Sequence, residues 1–148
     1  MLTANVGFIV YGVHKDGLKD PMGVPFIDAA LVEKAQAALR ARGLRVVRHP
    51  RVIASKAEAR EALAKFKKND AIDAVVLFSG TWVWSAHLAA ALRDFAGSGK
   101  GLVVWTHPGS QGWRPVGGLV VHGALKEIGV PHAWVYGATD EEGEMNRM

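Results

Sequence analysis

The chain has 148 residues, 49% of them hydrophobic, and a formal net charge of +4. This is enough apolar material for one globular domain with a sizeable core, and it excludes a disordered or low-complexity protein. It contains no cysteine, which rules out disulfides and thiolate metal sites. The basic residues spread over predicted helix faces, as at Lys56, Arg60, Lys67 and Lys68, so they read as solvated surface and not as a nucleic-acid footprint. No apolar run approaches the ~20 residues of a membrane span. The start, Met1 to Asn5, lacks a basic stretch followed by an apolar signal core. The expectation is a cytoplasmic protein with no membrane and no nucleic-acid partner.

Val6 to Tyr11 is a continuous apolar run, the mark of a strand buried on both faces. Val13 to Pro25 is rich in Gly, Asp, Lys and Pro and reads as a loop. Phe26 to Arg42 places Ile27, Ala30, Leu31, Ala35, Ala38 and Leu39 near helical spacing, with Glu33, Arg40 and Arg42 outside, and Gly43 is the expected stop. Leu44 to Val47 is a second strand. Ser55 followed by Glu58 is a capping box, and opens a helix that runs to about Lys68. Ile72 to Phe78 is a third strand, and Ser85 to Phe95 a third helix ended by Gly97-Ser98-Gly99. Leu102 to Trp105 is a fourth strand, followed by a loop from Thr106 to Pro115. Val116 to Ile128 is a fourth helix, stopped by Gly129 and Pro131, and Ala133 to Tyr136 is a fifth strand.

Strict alternation of strand and helix implies a parallel sheet. The economical arrangement is an α/β flavodoxin-like fold: an open five-stranded parallel sheet of order 2-1-3-4-5 with helices on both faces. Residues 1–137 form this single α/β domain and 138–148 a polar tail. The fifth helix that usually follows the fifth strand is missing, so one sheet face is expected to be covered by a partner chain or a further domain.

The common ligand motifs of such sheets are absent. Tyr11-Gly12-Val13-His14-Lys15-Asp16-Gly17 does not fit a dinucleotide fingerprint, and Gly99-Lys100-Gly101 precedes a strand, the wrong context for a phosphate loop. Six widely spaced histidines form no metal-binding pair on a helix. His87 and His122 fall inside helices as packing or surface residues, and His49 and His132 receive no role. Ser79 and Ser110 lack a nucleophile elbow. The carboxylates Asp16, Asp20 and Asp28 offer no facing pair. The carboxyl edge, where ligands of open α/β sheets bind, instead carries Phe78-Ser79-Gly80-Thr81-Trp82-Val83-Trp84 after the third strand. His14 follows the first strand, and His107, Gln111, Trp113 and Arg114 follow the fourth. Trp82, Trp84, His14, His107, Gln111 and Arg114 are therefore the candidate ligand-binding residues. An inventory of indoles, imidazoles and one guanidinium binds a polar ligand better than it transforms one. Trp82 and Trp84, two apart, face the same way if the loop is extended, although Trp84 could instead cap the core. Trp105 and Trp134 lie on strands and are expected in the core.

Val6-Gly7-Phe8-Ile9, Ser79 to Trp84, Val103-Val104-Trp105, Gly112-Trp113-Arg114-Pro115-Val116-Gly117-Gly118 and His132 to Gly137 together resemble the N-terminal domain of the L-fucose isomerase and L-arabinose isomerase family. The resemblance runs from about Val6 to Gly137. It implies aldose–ketose isomerisation with a divalent metal, commonly Mn²⁺, in an oligomer whose metal ligands come from later domains. The N-terminal domain there lends an aromatic contact to a neighbouring subunit's site. Trp82 matches that position, His14 or Lys15 matches a polar contact after the first strand, and Arg114 matches the Arg-Pro pair. The metal-binding carboxylates of the family have no counterpart in this chain. The resemblance therefore implies a substrate-contacting and oligomerisation domain or subunit, inactive alone, with no cofactor of its own. Its partner would be a missing catalytic domain or a separate catalytic chain, in a homo- or hetero-oligomer. The other reading is a stand-alone sugar-binding or regulatory module.

Overall fold

A computed structural model describes residues 3–12, 19, 23, 27–108 and 114–138, the Arg114 side chain excepted. Five strands and four helices alternate: β1 (Asn5–Tyr11), α1 (Ala29–Ala41), β2 (Arg45–Arg48), α2 (Lys56–Lys68), β3 (Ala74–Ser79), α3 (Ser85–Ala96), β4 (Gly101–Thr106), α4 (Arg114–Glu127) and β5 (Ala133–Tyr136). The strands form one parallel sheet of order β2-β1-β3-β4-β5, the flavodoxin-like arrangement expected from the alternation.

The apolar runs become the central strands because both of their faces meet helices. On β1, Val6, Phe8 and Val10 point into the layer shared with α1, together with Phe78, Trp105 and Val135. Ile9 and Tyr11 point the other way, into the layer shared with α2, α3 and α4. Among the described residues the two faces are thus covered unequally, by one helix and by three. Gly7 is needed for close packing on the second face: a β-carbon there would come within 2.9 Å of the Phe66 ring of α2.

Local sequence sets the helix ends. The Asp28 carboxylate accepts from the Leu31 amide at 3.1 Å and caps α1. Before α2, the Ser55 hydroxyl accepts from the Glu58 amide at 3.3 Å, and the Glu58 carboxylate reaches back to the Ala54 amide at 2.9 Å. The capping box is therefore formed, with its return bond one residue earlier than the usual partner. Gly43 and Gly129 adopt φ of 80° and 70° after α1 and α4. Their left-handed turns let the Leu44 and Val130 amides reach the carbonyls of Leu39 and Leu125, closing each helix in a Schellman motif.

Several expectations shift. Helix α1 begins at Ala29, after its Asp28 cap, instead of at Phe26. Ala30 is exposed, while Val32 and Gln36 are buried, so the inward face is rotated from the one read off the sequence. Trp105 is fully buried, but Trp134 is 39% exposed, because β5 is an edge strand. No fifth helix is present among the described residues. Val76, Phe78, Trp105 and Val135 on the α1 face are each at most 4% exposed. The exposed large apolar residues lie mainly elsewhere, on α4 (Val116, Leu119, Val120) and β5 (Trp134, Tyr136). Helix α4 carries no charged residue from Pro115 to Leu125. No helix among the described residues is long and apolar enough to cross a membrane.

Candidate functional site

Strands β1, β3 and β4 end at Tyr11, Ser79 and Thr106, which are buried side by side beneath the carboxyl edge. The segment from Gly80 to Trp84 rises from the end of β3. Its base is fixed by backbone, since the Gly80 amide donates to the Tyr11 carbonyl at 2.9 Å. Gly80 also packs tightly on Ile27 and Val10, whose side chains would have to shift for a β-carbon 2.7 and 3.0 Å away.

Above this base the segment is extended, and its residues alternate. Thr81 and Val83 turn inward and are buried, whereas Trp82 is half-buried and Trp84 is 58% exposed. Trp84 is the N-cap residue of α3, with extended backbone and no capping side chain of its own. The two indoles meet at 4.3 Å between ring centroids and 65° between planes. An edge-to-face pair of this kind adds about 0.5–1.5 kcal/mol beyond the area it buries and holds Trp82 while leaving Trp84 open. Trp84 therefore does not cap the core.

Helix α4 braces the segment from the side. A β-carbon at Gly117 would collide with the Thr81 carbonyl oxygen and would lie 3.0 Å from the Trp82 α-carbon. One at Gly118 would collide with the Thr106 side chain. Gly117 thus admits another backbone, and Gly118 a strand-end side chain.

His107 follows β4 on the same edge, half-buried, with its ring edge-on to Phe78 at 6.3 Å. The structure thus brings Trp82, Trp84 and His107 to the exits of the adjacent strands β3 and β4. His14, Lys15, Gln111 and Trp113 lie outside the described residues, as does the Arg114 side chain. The Arg114 backbone opens α4.

Sequence reasoning passed over the polar floor of the site. The Tyr11 ring is fully buried, and its hydroxyl has no hydrogen-bond partner. Burial pushes the phenol well above its ordinary range. The nearby Ser79 hydroxyl acts in the other direction without reaching hydrogen-bond geometry, so Tyr11 stays protonated and serves no base. Thr106 accepts from the Trp134 indole N–H at 3.0 Å. On α3, His87 carries a buried Nδ1 with no partner. A buried hydroxyl at a strand end has no period or spacing that marks it, and the signal available was only the polar residue closing an apolar run.

Among the described residues, no group of three or more His, Asp or Glu side chains stands ready to hold a metal ion. No donor set can be assigned here to the Mn²⁺ that the resemblance implies. A groove of about 380 Å³ lies between α2 and α3, lined by Arg60, Leu63, Lys67, Ala91, Asp94 and Phe95. It belongs to the outer helical layer, and none of its lining residues is at the carboxyl edge. The site at that edge can stack a flat or sugar-like face and offer an imidazole contact, and it carries no activated nucleophile among the described residues. A scan against protein-family models finds no match, and no curated protein matches the chain.

Proposed function

We propose that this chain is the substrate-contacting and oligomerisation domain or subunit of a fucose-isomerase-like aldose–ketose isomerase. It is catalytically silent alone and presents Trp82 to a sugar whose metal site lies in another domain or chain. One observation carries the reading: an edge-to-face indole pair held out from the carboxyl edge of an order 2-1-3-4-5 sheet, with its backbone clamped by glycine contacts. Indole faces suit the C–H faces of a sugar, and a preorganised loop lowers the entropy lost on binding. One further observation supports it. The uncharged outer face of α4, with Val116, Leu119 and Val120 exposed, suits contact with another subunit. In this reading Mn²⁺ or another divalent ion belongs to the complete enzyme, and the assembly is cytoplasmic.

A second reading, a stand-alone sugar-binding or regulatory module, is favoured by the burial of Phe78, Trp105 and Val135 within this chain. Titration of tryptophan emission with L-fucose, D-arabinose and related pentoses, with and without Mn²⁺, separates the two. The stand-alone module responds as an isolated chain, and Trp82→Ala abolishes the response. The subunit responds only with its catalytic partner, recovered by co-purification from the same cell extract. A well-behaved monomer that binds no sugar and recovers no partner would defeat both.

A further inference from the structure

Away from the carboxyl edge, we propose that His122 and His132 form a one-proton latch between α4 and β5, closed while the two rings share a proton and opened when each carries its own. The argument begins with the His132 Nδ1, which lies 2.8 Å from the Val130 carbonyl oxygen. A carbonyl only accepts, so this nitrogen bears a hydrogen, and neutral His132 presents a lone pair at Nε2. That Nε2 lies 2.9 Å from the His122 Nδ1, so the His122 Nδ1–H donates to it.

The ring centroids are 5.1 Å apart, close to the nitrogen contact plus one ring radius at each end. The two nitrogens therefore face each other nearly head-on. A metal ion bound by both rings would need their lone pairs to converge on a third point, whereas a shared proton needs them in line. The geometry selects the proton.

A first added proton is accommodated. Its charge can rest on His132, with the inner proton moving to that ring and His122 holding its hydrogen at the outer nitrogen, and the inner hydrogen bond becomes charge-assisted. A second added proton must place a charge on His122 beside the one on His132, with a hydrogen on each inner nitrogen. Two N–H groups then confront each other at a distance fit only for one, and two cations stand together. The surroundings oppose this second charge. Lys126, one helical turn along α4, adds a further positive charge near His122, and Tyr136 on β5 lies beyond Trp134. Among the described residues no carboxylate forms an ion pair with either imidazole, and His132 and Lys126 are the charges that act on His122.

The latch has something to release. His122 stacks on Trp134 at 4.2 Å and 14°. Trp134 donates its indole N–H to the Thr106 hydroxyl, and Thr106 is the residue on which Gly118 of α4 rests. The pair thus ties α4, β5 and the end of β4 together through one ring stack and one hydrogen bond. Both histidines are half-buried, so protons reach them without unfolding.

The test is a pH titration of the full chain by ¹⁵N NMR of the imidazole nitrogens, with exchange of the Trp134 indole N–H followed in parallel. The latch gives two protonation steps separated by more than about one pH unit. The inner hydrogen bond survives the first step, and indole exchange rises at least tenfold, beyond its intrinsic pH dependence, across the second. His132→Asn keeps a donor for the Val130 carbonyl but removes Nε2, and His122→Gln leaves nothing at the Nδ1 position. His122 should titrate in a single step in the first variant, and neither variant should show the acid jump in Trp134 exchange. Independent single steps in the wild-type chain, or wild-type behaviour in either variant, would overturn the proposal.

Discussion

Gly117 on α4 leaves no room for even a methyl group against the Thr81 carbonyl. Two elements far apart in sequence are pressed backbone to backbone just where the Trp82 segment leaves the sheet. Gly117→Ala forces one of them to move. The expected cost is about 1–3 kcal/mol of stability, as for other overpacked sites, seen as a lower urea midpoint. Because the displaced atoms include the Trp82 α-carbon, the emission of the indole pair should shift as well. Gly123→Ala, where a β-carbon meets open space, is the control, and its helix propensity should make it neutral or slightly stabilising. Equal effects at the two positions would remove the clamp from the account of the site.

A buried hydroxyl without a partner destabilises the fold that contains it. Tyr11→Phe removes that hydroxyl and leaves the ring, so stability should rise by about 1 kcal/mol. The alkaline limb carries a second signature. Burial raises the Tyr11 phenol above its unfolded value of 10.0, so the folded state holds this proton more tightly than the unfolded chain does. Stability is therefore full below pH 10 and falls as pH rises beyond it. Tyr11→Phe should flatten that fall. A loss of stability in the variant would mean that the hydroxyl has a bound partner, such as a buried water.

On the acid side the sign reverses. Burial, then the charge of His132, then that of Lys126 lower the proton affinity of His122 below its unfolded value of 6.5. The unfolded chain then binds the proton first. Stability is complete above pH 6.5 and declines as pH falls from there toward the folded value. Denaturant midpoints measured from pH 7.5 down to 5 should show this slope in the wild type and a smaller one in His122→Gln. An unchanged slope in the variant would assign the decline to other groups.

Most of the scaffold could be read from the chain. The β-branched runs at Val6–Tyr11 and Ala74–Phe78 can only be strands buried on both faces, and Ser55 with Glu58 announces a helix start whatever surrounds it. Ala133 to Tyr136 matches β5 residue for residue. Side-chain direction at the margins was less legible. Trp134 looks like core by composition, but an edge strand has one neighbour instead of two, and strand order alone does not say how much a helix covers. His122 and His132 are ten residues apart and on different elements, so no spacing rule links them. Gly117 and Gly118 were visible as glycines, but their contact partners, Thr81 and Thr106, are settled only by the packing of α4 on the sheet. The Trp82–Trp84 pair was the legible part of the site because an extended segment fixes its own alternation, whereas the Tyr11, Ser79 and Thr106 floor exists only once three strands are aligned.

The sheet order also bears on how the chain is made. Strand β1 lies between β2 and β3, and the residue opposite Tyr11 is Ser79. The apolar strand β1 is synthesised before both of its partners, and its second edge has none until β3 has emerged from the ribosome. At ordinary translation rates this interval is roughly ten seconds. During it Val6 to Tyr11 is an open hydrophobic strand, and shielding by a chaperone matters most for the nascent chain in that window.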